Sequence, residues 1–311
     1  MPETAVVFPG QGAQAVGMGR DVYEKSRAGR AVFQLADRAL SFSLSEIVFS
    51  GPEAKLAETD IAQPAILVTS IALVEAAREA GWNAQTAAAA GLSLGEYTAL
   101  VFAGCLALED AIMLVHRRGT YMREAGRKNP GGMLSVIGLD ETVIAGIVKT
   151  ASAQGVICAA NLNCPGQVVL SGQKPALEAA EKLASERGAM KTVFLNVDGA
   201  FHSPLMQEAA DALARDLASV KIAAPRLPFV PNVTGEVTGD PETIRRLLAA
   251  QVTSSVLWEK SVRTIAALGV TGFTEIGPGR VLTGLARRID RRIAAGAVGD
   301  MEQAAALASA S

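Results

Sequence analysis

Between Gly131 and Val197 the apolar spacing switches repeatedly between two periods, and no other feature of this chain restricts its folding more. "GMLSVIGLD" has strand texture, "ETVIAGIVKTASA" carries apolar residues three and four apart as a helix does, "GVICAANLN" and "GQVVLSG" are strand-like, "KPALEAAEKLASERG" is helical, and "MKTVFLNV" is strand-like again. The order βαββαβ over about seventy residues is the ferredoxin-like pattern. It interrupts a longer α/β chain. Ahead of it, "TAVVFPG" reads as a short buried strand stopped by Pro9 and Gly10, and helical spacing covers residues 21–40, 63–80, 94–102 and 108–124. Behind it come a helix over residues 203–220, a strand at "LPFVPNVTG", helices over 241–251 and 255–268, a strand at "GFTEIG", and a small-residue tail from Ala294 that is expected to be loose.

The expected fold class is α/β. An α/β-hydrolase-like large domain, residues 1–128 and 198–311, carries an inserted ferredoxin-like small domain, residues 129–197. One segment stays open: "TAAAAG", residues 86–91, reads as helix by alanine propensity and as buried strand by its shortness and its end at Gly91.

Half of the 311 residues are apolar, enough for a large core. A net charge of −2 provides no basic field for nucleic acid or an anionic membrane surface, so small-molecule or protein substrates are expected. The three cysteines, Cys105, Cys158 and Cys164, have neither the spacing of a zinc site nor the even number of a disulfide framework, which points to the cytoplasm. The N-terminus has an acid at Glu3 and no basic region ahead of a long apolar run, unlike a signal peptide. Residues 86–108 come nearest to a membrane span, but Glu96 and several glycines interrupt them.

"GLSLG" places Ser93 between Gly91 and Gly95, the spacing of a nucleophile on a sharp strand-to-helix turn. Such a turn exposes the hydroxyl and aims the Leu94 N–H and the helix N-terminus at an oxyanion forming beside it. The alternative is a small polar residue at an ordinary junction. Of two histidines, His116 lies within a helical pattern and reads as a helix-surface residue. His202, ahead of Ser203 and Pro204 at a helix start, is placed to stay neutral and act as a base, or else to bond the backbone at a turn. No acidic third member identifies itself; Asp198 is near His202 in sequence only. Arg117 and Arg118 point about 100° apart on a helix, so at most one faces inward, as a fork for a substrate carboxylate; the other reading is a solvated basic face. "FPGQGAQ" and "EIGPGR" lack the lysine and hydroxyl of a phosphate loop and read as tight turns after strands. Nothing indicates a metal or a bound organic cofactor.

Seven stretches in order, "FPGQGAQ", "GLSLGEYTAL", "RRGTYM", "NLNCPGQVVLSG", "GAFHSPLM", "QVTSSVLWEKSV" and "EIGPGRVLTGL", resemble the malonyl-CoA:acyl-carrier-protein transacylases. The resemblance implies a malonyl ester on Ser93, His202 as base, Gln11 and the Leu94 N–H as the oxyanion hole, Arg118 on the malonyl carboxylate, and the backbone carbonyl of Gln251 orienting the histidine in place of an acid. It also implies malonyl-CoA and an acyl carrier protein as partners, in fatty acid synthesis or in trans on a polyketide assembly line, with a cleft between the two domains; a monomer is expected. The rival readings of the same residues are a serine esterase or thioesterase, and a carrier-binding scaffold with a decayed site. Leu92 stands where the family often has histidine, and Phe201 matches the malonyl-selective version of its motif. An acidic carrier is expected to meet a basic patch at Arg123, Arg127, Lys128 or the run from Arg287 to Arg292, unless these are only solvated faces.

Overall fold

The computed structural model describes residues 4–83 and 85–309; Glu3 lies outside them. Strand β1 (Thr4–Phe8) is followed by helices α1 (Arg20–Lys25), α2 (Arg27–Leu40), α3 (Leu44–Ser50), α4 (Glu53–Ala57) and α5 (Thr59–Glu79). Then come β2 (Thr86–Gly91), α6 (Gly95–Phe102) and α7 (Leu108–Lys128). The middle of the chain runs β3 (Gly132–Ile137), α8 (Glu141–Ala151), β4 (Ile157–Cys164), β5 (Gln167–Gly172), α9 (Lys174–Glu186) and β6 (Lys191–Phe194). The remainder is α10 (Gln207–Ser219), α11 (Pro241–Gln251), α12 (Trp258–Ala267), β7 (Gly272–Ile276), α13 (Val281–Ile289), β8 (Ala294–Val298) and α14 (Met301–Ser309).

A parallel sheet with strand order β2-β1-β7-β8 forms one layer. Strand β1 is buried on both faces, as parallel strands between helices are: Val6 and Phe8 join the core under α5 and α6, while Ala5 and Val7 join the cluster with Phe273, Val262 and Leu285. "TAAAAG" is a strand here, paired with β1 from Thr4↔Thr86 to Phe8↔Gly91. Alanine's helix propensity is overridden because both edges of this segment are hydrogen-bonded and its small side chains let helices approach the sheet. The second sheet is antiparallel, order β4-β5-β3-β6, with α8 and α9 packed on one face around Leu134, Val136 and Leu170. Its Met133, Ala160 and Val169 belong instead to the main core. Strand β4 is tied to the segment leading into α12, where Val256 N–H donates to Ala160 O at 2.8 Å and Leu162 N–H to Val256 O at 2.9 Å.

Three sequence expectations fail for local reasons. "LPFVPNVTG" makes only isolated bridges at Phe229, because Pro228 and Pro231 have no N–H to continue a ladder. The 21–40 helix is broken at Ser26, whose extended backbone lets its hydroxyl accept from Gly29 N–H and start α2. The tail from Ala294 is not loose: β8 pairs with β7, and Met301 N–H, at the start of α14, donates to Asp21 at 2.7 Å. Residues 86–108 form a strand and a short helix. Among the described residues only α5 is long and apolar enough to cross a membrane, and nearly all of it is buried in the protein.

Candidate active site

Strand β2 ends at Gly91 and α6 starts at Gly95, leaving a turn so tight that neither glycine tolerates a side chain. A Cβ on Gly91 would lie 2.0 Å from the Gly95 backbone, and one on Gly95 would lie 2.2 Å from Phe8 O. Ser93, between them, has φ of 51°, the left-handed region that ordinary residues avoid at a cost of about 1–3 kcal/mol. Asn232 holds this conformation from both sides: its Oδ1 accepts from Ser93 N–H at 2.7 Å, and its Nδ2 donates to Gly91 O at 2.7 Å.

Ser93 Oγ lies 2.7 Å from His202 Nε2. On the far side of the ring, Nδ1 lies 2.8 Å from the backbone carbonyl of Gln251, which only accepts. Nδ1 therefore carries the proton, and Nε2 is free to take one from Ser93. Burial, and then the charge of Arg118, push the His202 pKa down to about 4, against the opposing hydrogen bonds to the backbone at Gln251 and Ser254. The imidazole is neutral throughout the physiological range. His202 also has a positive φ, 57°, so both members of the pair sit in strained backbone.

Arg118 is the inward member of its pair, 1% exposed; Arg117 faces solvent and pairs with Asp216 at 3.0 Å. One terminal nitrogen of Arg118, Nη2, donates to Ser93 Oγ at 3.0 Å and Gln251 Oε1 at 2.9 Å, and Nη1 donates to Gln63 Oε1 at 2.6 Å. The guanidinium lies over the Tyr97 ring at 5.7 Å. Its Nε has no partner, and no carboxylate among the described residues is within ion-pair distance. The groups that bond Arg118 directly are all neutral, and the nearest acid felt by its charge, Glu96, is linked to it only through Gln251, so the guanidinium keeps the capacity to bind a carboxylate.

The loop after β1 runs against the elbow: a Cβ on Gly10 would meet Leu92 O at 2.6 Å, and Leu92 N–H donates to Phe8 O at 3.0 Å. Gln11, the next residue of that loop, is half-buried and donates through Nε2 to Thr59 Oγ1 at 3.2 Å. Leu94 is fully buried at the position preceding α6, where backbone N–H groups have no intrahelical acceptor. Asp198 does not approach His202; its carboxylate accepts from the N–H and hydroxyl of Thr59 at the start of α5. His116 donates from Nδ1 to Asp60 O at 2.9 Å, a helix-face histidine on a backbone carbonyl. Cys158 touches the site through His202 O at 3.4 Å, but burial pushes its pKa up to about 11 and keeps it a thiol. Among the described residues no group of three or more His, Cys, Asp or Glu is placed to hold a metal ion.

A serine on a strained turn, a neutral histidine on a carbonyl and a buried arginine together suit acyl transfer to and from a hydroxyl. The sequence model of the acyl transferase domain matches residues 5–307. This chain belongs to the acyl transferase family. It is 41% identical over 303 residues to the malonyl CoA-acyl carrier protein transacylase of Bacillus subtilis, covering 97% of this chain and 95% of the relative. To the enzyme of that description from Escherichia coli K12 it is 40% identical over 306 residues, covering 98% and 99%. Among solved structures, the acyl-carrier-protein S-malonyltransferase of Bartonella henselae matches with a TM-score of 0.95 at 42% identity, covering 99% of each chain. A malonyl-transacylase in complex with a type II polyketide acyl-carrier protein matches with a TM-score of 0.96 at 38% identity, covering 99% and 100%.

In this acyltransferase the structure adds residues that the motif reading passed over. Gln63 and the side chain of Gln251 hold Arg118; Asn232 and Glu96 hold the elbow. Glu96 was readable as an oddity, a lone acid inside an apolar helical run, since burying a carboxyl needs a reason. Asn232 carried no such signal, because its role depends on a contact across 139 residues.

Proposed function

We propose that this acyltransferase moves a malonyl group from malonyl-CoA to the phosphopantetheine thiol of an acyl carrier protein, through a malonyl ester on Ser93, in fatty acid synthesis. The observation that carries the choice of acyl group is Arg118: a buried guanidinium 3.0 Å from the nucleophile, with no carboxylate among the described residues within ion-pair distance, suits an acyl chain that ends in a carboxylate. His202 takes the Ser93 proton as Oγ attacks the thioester carbonyl, and the developing oxyanion is received by the N–H groups of Gln11 and Leu94. The imidazolium then protonates the departing CoA sulfur. In the second half the carrier's thiol gives its proton to His202 and attacks the ester carbonyl, and the imidazolium passes that proton to Ser93 Oγ as the acyl–oxygen bond breaks, which restores both residues. Gln251 O steadies the imidazolium in both halves, which makes an acidic third member unnecessary.

The finer architecture follows the same reading: a hydrolase-like catalytic domain, residues 1–128 and 198–311, with a ferredoxin-like insert, residues 129–197, and the cleft between them. The protein acts as a cytoplasmic monomer on soluble partners and needs no bound cofactor. Arg127 and Arg291 best suit the acidic carrier, since both are exposed and unpaired among the described residues. Arg123 is held by Glu58 and Asp60, and Lys128 by Glu208. A polyketide carrier as acceptor is supported by the polyketide complex among the similar structures.

The test is to supply malonyl-CoA and phosphopantetheinylated carrier proteins from each kind of pathway and follow the carriers by mass spectrometry. A malonylated carrier formed in proportion to CoA released supports the reading. Free malonate in place of malonyl-carrier would make the protein a thioesterase.

A further inference from the structure

Glu96, in the first turn of α6, is wholly buried, and one of its oxygens does two jobs. Oε2 accepts from Gln251 Nε2 at 2.7 Å and from Asn232 N–H at 3.0 Å, while Oε1 has no partner. Those two donors belong to the residues that grip the Ser93 backbone. The Asn232 side chain takes Ser93 N–H, and Gln251 Nε2 also donates to Ser93 O at 2.9 Å. Gln251 further supplies the carbonyl opposite His202 Nδ1 and the oxygen opposite Arg118. Two segments distant in sequence from the elbow, the stretch around Asn232 and the end of α11, thus converge on a single carboxyl oxygen of the elbow's own helix. A left-handed serine persists only where its surroundings over-determine it, and this oxygen joins the two grips that do so.

We propose that Glu96 is a positioning residue of the transfer reaction: by drawing Gln251 and Asn232 together it sets where Ser93 stands relative to His202. The inference rests on the reading of Ser93 as nucleophile and His202 as base. A residue that only filled the core would be replaceable by any apolar side chain of similar size. A positioning acceptor is replaceable only by another acceptor.

Single-turnover malonylation of Ser93 by malonyl-CoA, measured for wild type, Ser93→Ala, Glu96→Ala and Glu96→Gln, separates the two. Glu96→Ala is expected to slow malonylation roughly 100-fold, the scale of loss when reacting groups are misplaced by about 1 Å. Its half-saturating malonyl-CoA concentration should change far less, by about threefold at most. Glu96→Gln retains an acceptor oxygen and should remain within roughly tenfold of wild type. If Glu96→Ala does not fold, Glu96→Met, which keeps the length and bulk of the side chain but offers no oxygen acceptor to Gln251 Nε2 and Asn232 N–H, should show the same loss of rate. An alanine variant as fast as wild type, or Glu96→Gln as slow as Glu96→Ala, overturns the proposal. A wild-type protein that takes no malonyl group at all refutes the nucleophile reading itself, and the role of Glu96 with it.

Discussion

Replacing Arg118 with alanine should separate malonyl from acetyl substrates, and the structure sets the size of the effect. A carboxylate gripped at two points by a guanidinium gains two charge-assisted hydrogen bonds, each contributing about 1.5–3 kcal/mol net. Losing both, about 3–6 kcal/mol, lowers kcat/KM for malonyl-CoA by about 10²–10⁴-fold. Acetyl-CoA has no carboxylate to lose. The variant also leaves the buried oxygens of Gln63 and Gln251 without a donor, at about 1–3 kcal/mol each, so its melting temperature should fall as well. Two pKa values should move. The Arg118 charge holds His202 down, so the acid limb of loading should rise from about pH 4, yet stay below the ordinary 6.5 because burial is the larger cause. Glu96, raised to about 7 by burial and held down in part by Arg118, should rise further and become neutral at physiological pH. The assay is the rate of acyl-enzyme formation from malonyl-CoA and from acetyl-CoA as a function of pH, on protein shown to be folded by its melt. Equal losses for the two substrates would refute the assignment of Arg118 to the carboxylate.

Other substitutions test the surroundings. Gly95→Ala would place a methyl 2.2 Å from Phe8 O, a backbone atom that cannot swing away, so thermal unfolding should show a loss of several kcal/mol, roughly 3 or more. Asp198→Ala should leave the acid limb of loading where it is, because Asp198 bonds Thr59; a shifted limb would make it a partner of His202. Glu96→Gln should change how stability depends on pH. The folded-state pKa of Glu96 is raised from 4.5 to about 7, so its favourable contribution is complete below pH 4.5 and is lost as pH rises to about 7. Across that window the wild type should lose up to about 3 kcal/mol relative to Glu96→Gln in denaturant titrations. A constant difference between them would show that Glu96 does not titrate there.

What could be read from the sequence depended on whether its signal was local. Helix α11 was legible to the residue, because Asp240 caps it through Thr243 N–H and Pro241 opens it. The alternation from β3 to β6 was legible because each element carries its own period. β2 was ambiguous because an alanine run has no period, and only pairing with β1 and contact with Pro228 and Val230 decide it. The short helices α3 and α4 and the helix α13 were not distinguished from loops, and β8 and α14 were mistaken for a loose tail, since their stability comes from docking on other elements. In the site, Ser93 and its two glycines carried a steric pattern, and Arg118 could be narrowed to one of two neighbours by helix geometry. That the inward one is Arg118, and that the Gln251 carbonyl rather than an acid faces His202, followed from the family resemblance and not from any local pattern, because both depend on tertiary contact.

Every step proposed for this enzyme passes through an acyl group on Ser93. Intact-protein and peptide mass spectrometry after mixing with malonyl-CoA, before any carrier is added, tests this most directly. One malonyl group per chain is expected, mapped to the peptide containing Ser93, absent in Ser93→Ala and discharged by a phosphopantetheinylated carrier protein. A malonyl group on another residue, or one that persists in Ser93→Ala, would contradict it.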